Sequence, residues 1–158
     1  MDRRRPEEVG ADLIRKGHVI KDPTVLHNLT NSWQDVRNKQ NFIKRHLAGS
    51  MFGIGSLPPI HLADPLYNLL LIYAYAVLND ILSQLRDEDN FRCSSSLLGR
   101  LMEASKSKIV WVNYNLVNSG RRRRNDIAHR SITVPRGECW EYIDAIEVEL
   151  SSWGIINS

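Results

Sequence analysis

Between positions 121 and 130 the chain reads Arg121-Arg122-Arg123-Arg124-Asn125-Asp126-Ile127-Ala128-His129-Arg130. Arginine presents a planar fork that donates two parallel hydrogen bonds to a phosphate and keeps its charge throughout the biological pH range. Histidine titrates near neutrality and can take or give a proton. A helix with so many like charges repels itself unless an anion lies against it. Together these side chains supply what RNA self-cleavage requires: a base for the ribose 2′-hydroxyl and positive charge on the phosphorane as it forms.

Charge distribution points the same way. Residues 121–136 hold six arginines, Arg121 to Arg124 with Arg130 and Arg136, against one acid, Asp126. That is +5 locally in a chain of net charge +3, so the remaining residues sum to −2. A mildly acidic body with one arginine-dense segment is the electrostatic footprint of a polyanion binder. Arg3, Arg4 and Arg5, by contrast, are balanced by Asp2, Glu7 and Glu8 and read as a solvated end.

Other chemistries find little support. Cys93 and Cys139 have neither CxxC spacing nor a histidine cluster beside them, so two free thiols in a reducing compartment are expected. His18, His27, His46 and His61 share no ligand spacing, and no metal or cofactor is expected. The glycines at 49, 53 and 55 lack the lysine and Ser/Thr of a phosphate-binding loop. No apolar leader follows Met1, and the most apolar run, Leu69–Leu78, falls short of the ~20 residues that span a bilayer. A cytoplasmic protein without a membrane partner is expected, and the Asn28-Leu29-Thr30 sequon then carries no glycan.

The elements that must position the arginine segment are helices. Asp22-Pro23 is a helix opening, and Leu26, Leu29, Trp33, Val36, Ile43 and Leu47 follow at helical spacing, with Gln40 filling a step of the seam. Gly49 to Pro59 predicts a loop. Asp64-Pro65 opens a second helix, apolar on nearly every face from Leu66 to Leu85 and therefore central. Ser94-Ser95-Ser96 offers caps for a short helix with Leu97, Leu98, Leu101 and Met102. Ser107 to Arg130 predicts the motif helix, bent or broken at Gly120; Pro135 ends that unit, and Glu138 to Trp153 forms the last helix. Trp33, Trp140 and Trp153 are core residues on this reading, whereas the phase of Trp111 leaves an exposed contact open. Asp80 is read as a surface or end-of-core residue rather than a supporting acid.

No strand alternation and no repeat is visible, so the fold class is all-α: one domain over residues 1–158, with an extension at 1–20 and an up-and-down bundle of about five helices at 22–153.

Arg124-Asn125-x-x-Ala128-His129, near the end of the penultimate helix, resembles the Rx4-6H motif of HEPN domains, small helical bundles found in ribonuclease toxins and RNA-cutting defence systems. The resemblance extends over roughly residues 60–153: an apolar central helix, a motif helix, a short Pro/Gly link and an amphipathic last helix. Arg122, Arg123 and Arg124 all fall within the permitted spacing to His129; Arg124 is preferred because Asn125 completes the family's Arg-Asn pair.

The resemblance implies a metal-independent endoribonuclease in which His129 is base or acid, Arg124 stabilises the phosphate and Asn125, four residues before His129, orients it or the substrate. Arg121, Arg122, Arg123 and Arg130 would hold RNA. It also implies 2′,3′-cyclic phosphate and 5′-hydroxyl products, and an antitoxin or regulatory protein as a possible partner. Residues five apart on a straight helix lie about 140° apart. A homodimer with opposed motif helices, as in HEPN proteins, would relieve this by a composite cleft. A non-catalytic HEPN module binding RNA or nucleotide, or mediating dimerisation, is the alternative; a helical adaptor for an acidic partner is a third reading.

Overall fold

The computed structural model describes residues 20–51 and 64–157, and the side chains of 20–45 and 66–157. Five helices run in order: α1 (Pro23–Met51), α2 (Asp64–Asp87), α3 (Leu98–Ser105), α4 (Tyr114–Arg130) and α5 (Arg136–Ser152). No strand occurs among the described residues, and the class is an all-α bundle. The expected extension before residue 20, His18, His61 and the Pro58-Pro59 pair lie outside the described residues.

Both Asp-Pro openings begin helices where the sequence places them. At the first, Asp22 Oδ1 accepts from the Thr24 and Val25 amides at 2.9 and 3.2 Å, satisfying two of the donors a helix start leaves unpaired. The helix continues through Gly49 to Met51, three residues into the predicted loop, because a glycine near a helix end weakens the helix without forbidding it.

Helix α2 packs against all four others. Leu71, Leu78, Ile81, Leu82 and Leu85 are fully buried there, as the apolar sequence requires. Leu66–Asp87 is also long and apolar enough to cross a membrane by length and composition, and the surrounding helices account for that apolarity equally well. Its first turns differ: Leu66 and Leu69 are exposed, Leu69 to 62%. Asp80 is exposed too.

Helix α1 is fastened to α5 by polar groups. Trp33 Nε1 donates to Glu147 at 2.9 Å, and Arg37 bridges Asp144 and Glu147, each at 2.6 Å. Gln40 is buried, as its place in the apolar seam predicts, and accepts from Arg37.

Three local expectations are corrected. Serines 94–96 do not cap α3: Leu97 is at the N-cap without a side-chain bond, and Ser95 Oγ instead accepts from the Leu97 amide within a turn. The motif helix starts at Tyr114 rather than Ser107, with Ile109, Trp111 and Val112 in the preceding linker. Trp111 is half-buried, edge-on to Tyr114 and Trp153 at centroid distances of 5.3 and 4.8 Å. Finally, α4 runs unbroken through Gly120, for a reason that belongs to the site.

Candidate functional site

Helix α4 is built from a locked beginning to an open end. Its N-cap, Asn113, accepts from the Leu116 amide at 3.1 Å. Ahead of it, the fully buried Glu149 carboxylate on α5 accepts from the Val112 and Asn113 amides at 2.7 and 2.6 Å. A buried carboxylate persists only with such partners, and these fix where the linker stops and the helix starts.

One turn on, the Tyr75 hydroxyl of α2 donates to the Val117 carbonyl at 2.7 Å. Burial pushes that hydroxyl well above the ordinary tyrosine range. A Cβ on Gly120 would stand 2.0 Å from Tyr75 Oη and 2.6 Å from the Tyr142 ring, so glycine here is what lets two aromatic side chains reach the α4 backbone. The predicted break is a close-packing contact.

Beyond Gly120 the arginines part company. Arg121 donates from Nε to Asn118 at 2.9 Å and lays its guanidinium over Gly99 of α3. Arg122 is exposed. Arg123 turns to α5, where Nε meets Glu138 at 2.8 Å, and Glu138 also accepts from the Tyr142 hydroxyl at 2.9 Å. The Arg123 hydrogen bond holds the Glu138 carboxyl below its usual range; Tyr142 is pushed up to about 12 by burial first and the Glu138 carboxylate second.

Arg124 falls on the inward phase with Val117, Gly120 and Ile127 and is half-buried. Its Nη1 donates to Asn125 Oδ1 at 3.1 Å, while its buried Nε has no acceptor among the described residues. His129 is exposed in the last turn, without a hydrogen-bond partner among the described residues, and Arg130 stands 3.7 Å from Asp126. The fold thus joins Arg124 to Asn125 directly and puts Asn125 and His129, four apart, on one face about 40° from each other. Arg124 and His129 diverge by about 140° around an unbroken helix.

The helix ends at Ser131 in the left-handed region, φ 52°. The segment after it is pinned by Asn68, a buried α2 side chain that donates to the Val134 carbonyl at 3.0 Å and accepts from its amide at 2.8 Å. Asn68, Leu69, Ile127, Ser131, Ile132 and Thr133 line a shallow groove of about 260 Å³ beside the motif's end. Asn68 and Glu149 escaped sequence reasoning. Their one signal is a polar residue at an inward helical position, which resembles any satisfied core polar group.

Neither Cys93 nor Cys139 is in a disulfide, and no cluster of three His, Cys, Asp or Glu side chains that could hold a metal occurs among the described residues. His27 is exposed and pairs with Asn31. No family model, no curated protein and no solved structure matches the chain.

Proposed function

We propose that the chain is an endoribonuclease of HEPN type, cleaving RNA through attack of the ribose 2′-hydroxyl at a cleft shared by two copies. One observation supports the reading above the others. At the end of α4 an exposed histidine with no competing partner stands one residue before the helix terminus, and five residues earlier an arginine carries a buried Nε that lacks an acceptor. A donor that has lost water without gaining a partner costs about 1–3 kcal/mol, and a phosphate oxygen would repay it.

In this reading His129 accepts the 2′-hydroxyl proton. The 2′-oxygen bonds to phosphorus, the bond to the 5′-oxygen breaks, and that oxygen takes a proton from an acid on the other side. The products are a 2′,3′-cyclic phosphate and a 5′-hydroxyl. Arg124 neutralises the phosphorane and Asn125 holds the Arg124 guanidinium in place. Because Arg124 and His129 diverge on one helix, the arginine of one copy serves the histidine of another, with the homodimer supplying the second acid.

Purified protein incubated with mixed RNA and excess EDTA tests the assignment. Wild type cuts; His129→Ala and Arg124→Ala, folded by circular dichroism, each lose at least about 100-fold. If wild type binds RNA but never cuts it, or if His129→Ala cuts equally well, the catalytic role falls and a non-catalytic RNA-binding module takes its place.

A further inference from the structure

The arginine run projects its charges in two directions, and the surfaces they reach differ in sign. Towards α5, Arg123 is already matched by Glu138, and the helix continues with the exposed Glu141 and Asp144 and the half-exposed Glu147. Asp144 and Glu147 are shared with Arg37, so that side offers a polyanion little attraction. Towards α3 the balance reverses.

There the Arg121 guanidinium crosses from α4 onto the α3 backbone: a Cβ added to Gly99 would sit 3.0 Å from its Nη1. Arg100, next along α3, is exposed, as is Arg122 on α4. At the other end of α3 the Lys106 ammonium stands 4.7 Å above the half-buried Tyr114 ring. Exposed Lys108 follows. The one acid on α3 is Glu103, and the Tyr114 hydroxyl occupies it at 3.0 Å; Asp126, four residues beyond Arg122 on α4, stands 3.7 Å from Arg130. Burial and Glu103 raise the Tyr114 hydroxyl, and the Arg121 and Arg122 charges oppose that rise, which places both within electrostatic reach of the ring.

Cations beside a partly exposed aromatic ring are what a single nucleic-acid strand uses: phosphates follow the charges and, once Lys106 moves from the ring to a phosphate, a base can take its place on the ring. From His129 back to Tyr114 the path is on the order of 20 Å along the helix axis, room for several nucleotides. We propose that single-stranded RNA held at the motif extends across α3, along Arg122, Arg121, Arg100 and Lys106 to the Tyr114 ring, and away from α5. This rests on the reading of α4 as RNA-directed and adds the substrate's path and minimum length.

Binding, not cleavage, tests it. Full-length His129→Ala protein, unable to cut on the reading above, is titrated into fluorescein-labelled oligouridylates of roughly three and roughly twelve nucleotides, followed by anisotropy at two salt concentrations. In that background Arg100→Glu with Lys106→Glu weakens the long oligonucleotide by at least about 10-fold, leaves the short one within about 2-fold, and lowers the salt slope by about two phosphate contacts. Arg45→Glu, an exposed charge reversal on α1, leaves both nearly unchanged.

Equal losses for both lengths, no loss at all, or an equal loss from Arg45→Glu would overturn the path. So would capture of an acidic peptide in place of RNA. Length-dependent binding by a wild type that never cuts leaves the path standing and removes the ribonuclease; cleavage without length dependence does the reverse.

Discussion

From Tyr114 to Gly120, helix α4 is held on several sides: Glu149 fixes the two residues before it, the Tyr75 hydroxyl seizes the Val117 carbonyl, and Tyr75 and Tyr142 close over Gly120. From Arg121 to Arg130 the same helix makes, among the described residues, one cross-helix ion pair, Arg123 with Glu138, with Ile127 packed against the core and Arg121 over Gly99, and ends in an exposed histidine and arginine. The first stretch contains one buried aliphatic residue, Val117, and no charge; the second contains five arginines. A self-repelling segment of this kind gains little stability from its own side chains. It is ordered because seven residues ahead of it are clamped. The clamp sets the direction in which Arg124 and His129 point: Arg124 half-buried with an Nε unpartnered among the described residues, His129 exposed.

That contrast predicts that substitutions in the first stretch act on stability and those in the second on the RNA chemistry proposed above. Gly120→Ala should be the most severe. Its methyl would enter the space of the Tyr75 hydroxyl and the Tyr142 ring, and overpacking of this depth costs about 3 kcal/mol, enough to lower a chemical-denaturation midpoint sharply. Adding Tyr75→Phe removes the nearest colliding atom and should recover part of the loss, a non-additive result by design. If Gly120→Ala denatures like the wild type, the helix is not clamped there and the contrast collapses.

Asn68→Ala comes next. It removes the acceptor of the buried Val134 amide and leaves the Val134 carbonyl only the weak Cys139 thiol donor at 3.7 Å, at a cost of about 2 kcal/mol by urea unfolding. Because Asn68 also borders the groove at the motif's end, amide exchange at residues 131–134 should accelerate, whereas exchange near Val117 should follow only the global change. Equal acceleration at both ends would mean that α4 opens as one unit and that its halves are not separately held.

How much of this was legible beforehand follows from the range of the interactions. Asp22-Pro23 and Asp64-Pro65 act within one turn, so two helix starts could be read to the residue or nearly so. The burial of α2 from Leu70 to Leu85 follows from its apolar sequence, whereas the exposure of Leu66 and Leu69 does not. The start of α4 could not be read, because the bonds that set it come from Glu149, thirty-six residues further on, while Ile109, Trp111 and Val112 supply apolar residues that a helix would also use. Gly120 carries the same local penalty whether it breaks a helix or admits two tyrosines, and only the positions of Tyr75 and Tyr142 decide. In the site, the spacing of Arg124 and His129 is visible in the sequence; which arginine is already engaged by a carboxylate is not, since Glu138 lies on another helix.

That engaged arginine provides the smallest test. Arg123 and Glu138 are each about a third exposed, so their pairing contributes only about 0.5–1 kcal/mol, and Arg123→Ala should cost no more. The pH dependence identifies the cause. Arg123 holds the Glu138 carboxyl below its unfolded value, so the folded state gains while that carboxylate is charged. The gain is complete above the ordinary glutamate range and disappears as pH falls through the lowered folded value, where Glu138 takes up a proton. The stability gap between wild type and Arg123→Ala is therefore full at neutral pH and narrows in acid. Arg123 itself is raised, again first by the Glu138 bond, but its titration lies far above neutrality and does not enter this window. A gap unchanged in acid would assign the effect to packing of the Arg123 stem against its neighbours. The same variant should lose less RNA cleavage than Arg124→Ala; an equal or greater loss would move the motif's working arginine to position 123 and make its bond to Glu138 a contact that RNA must displace.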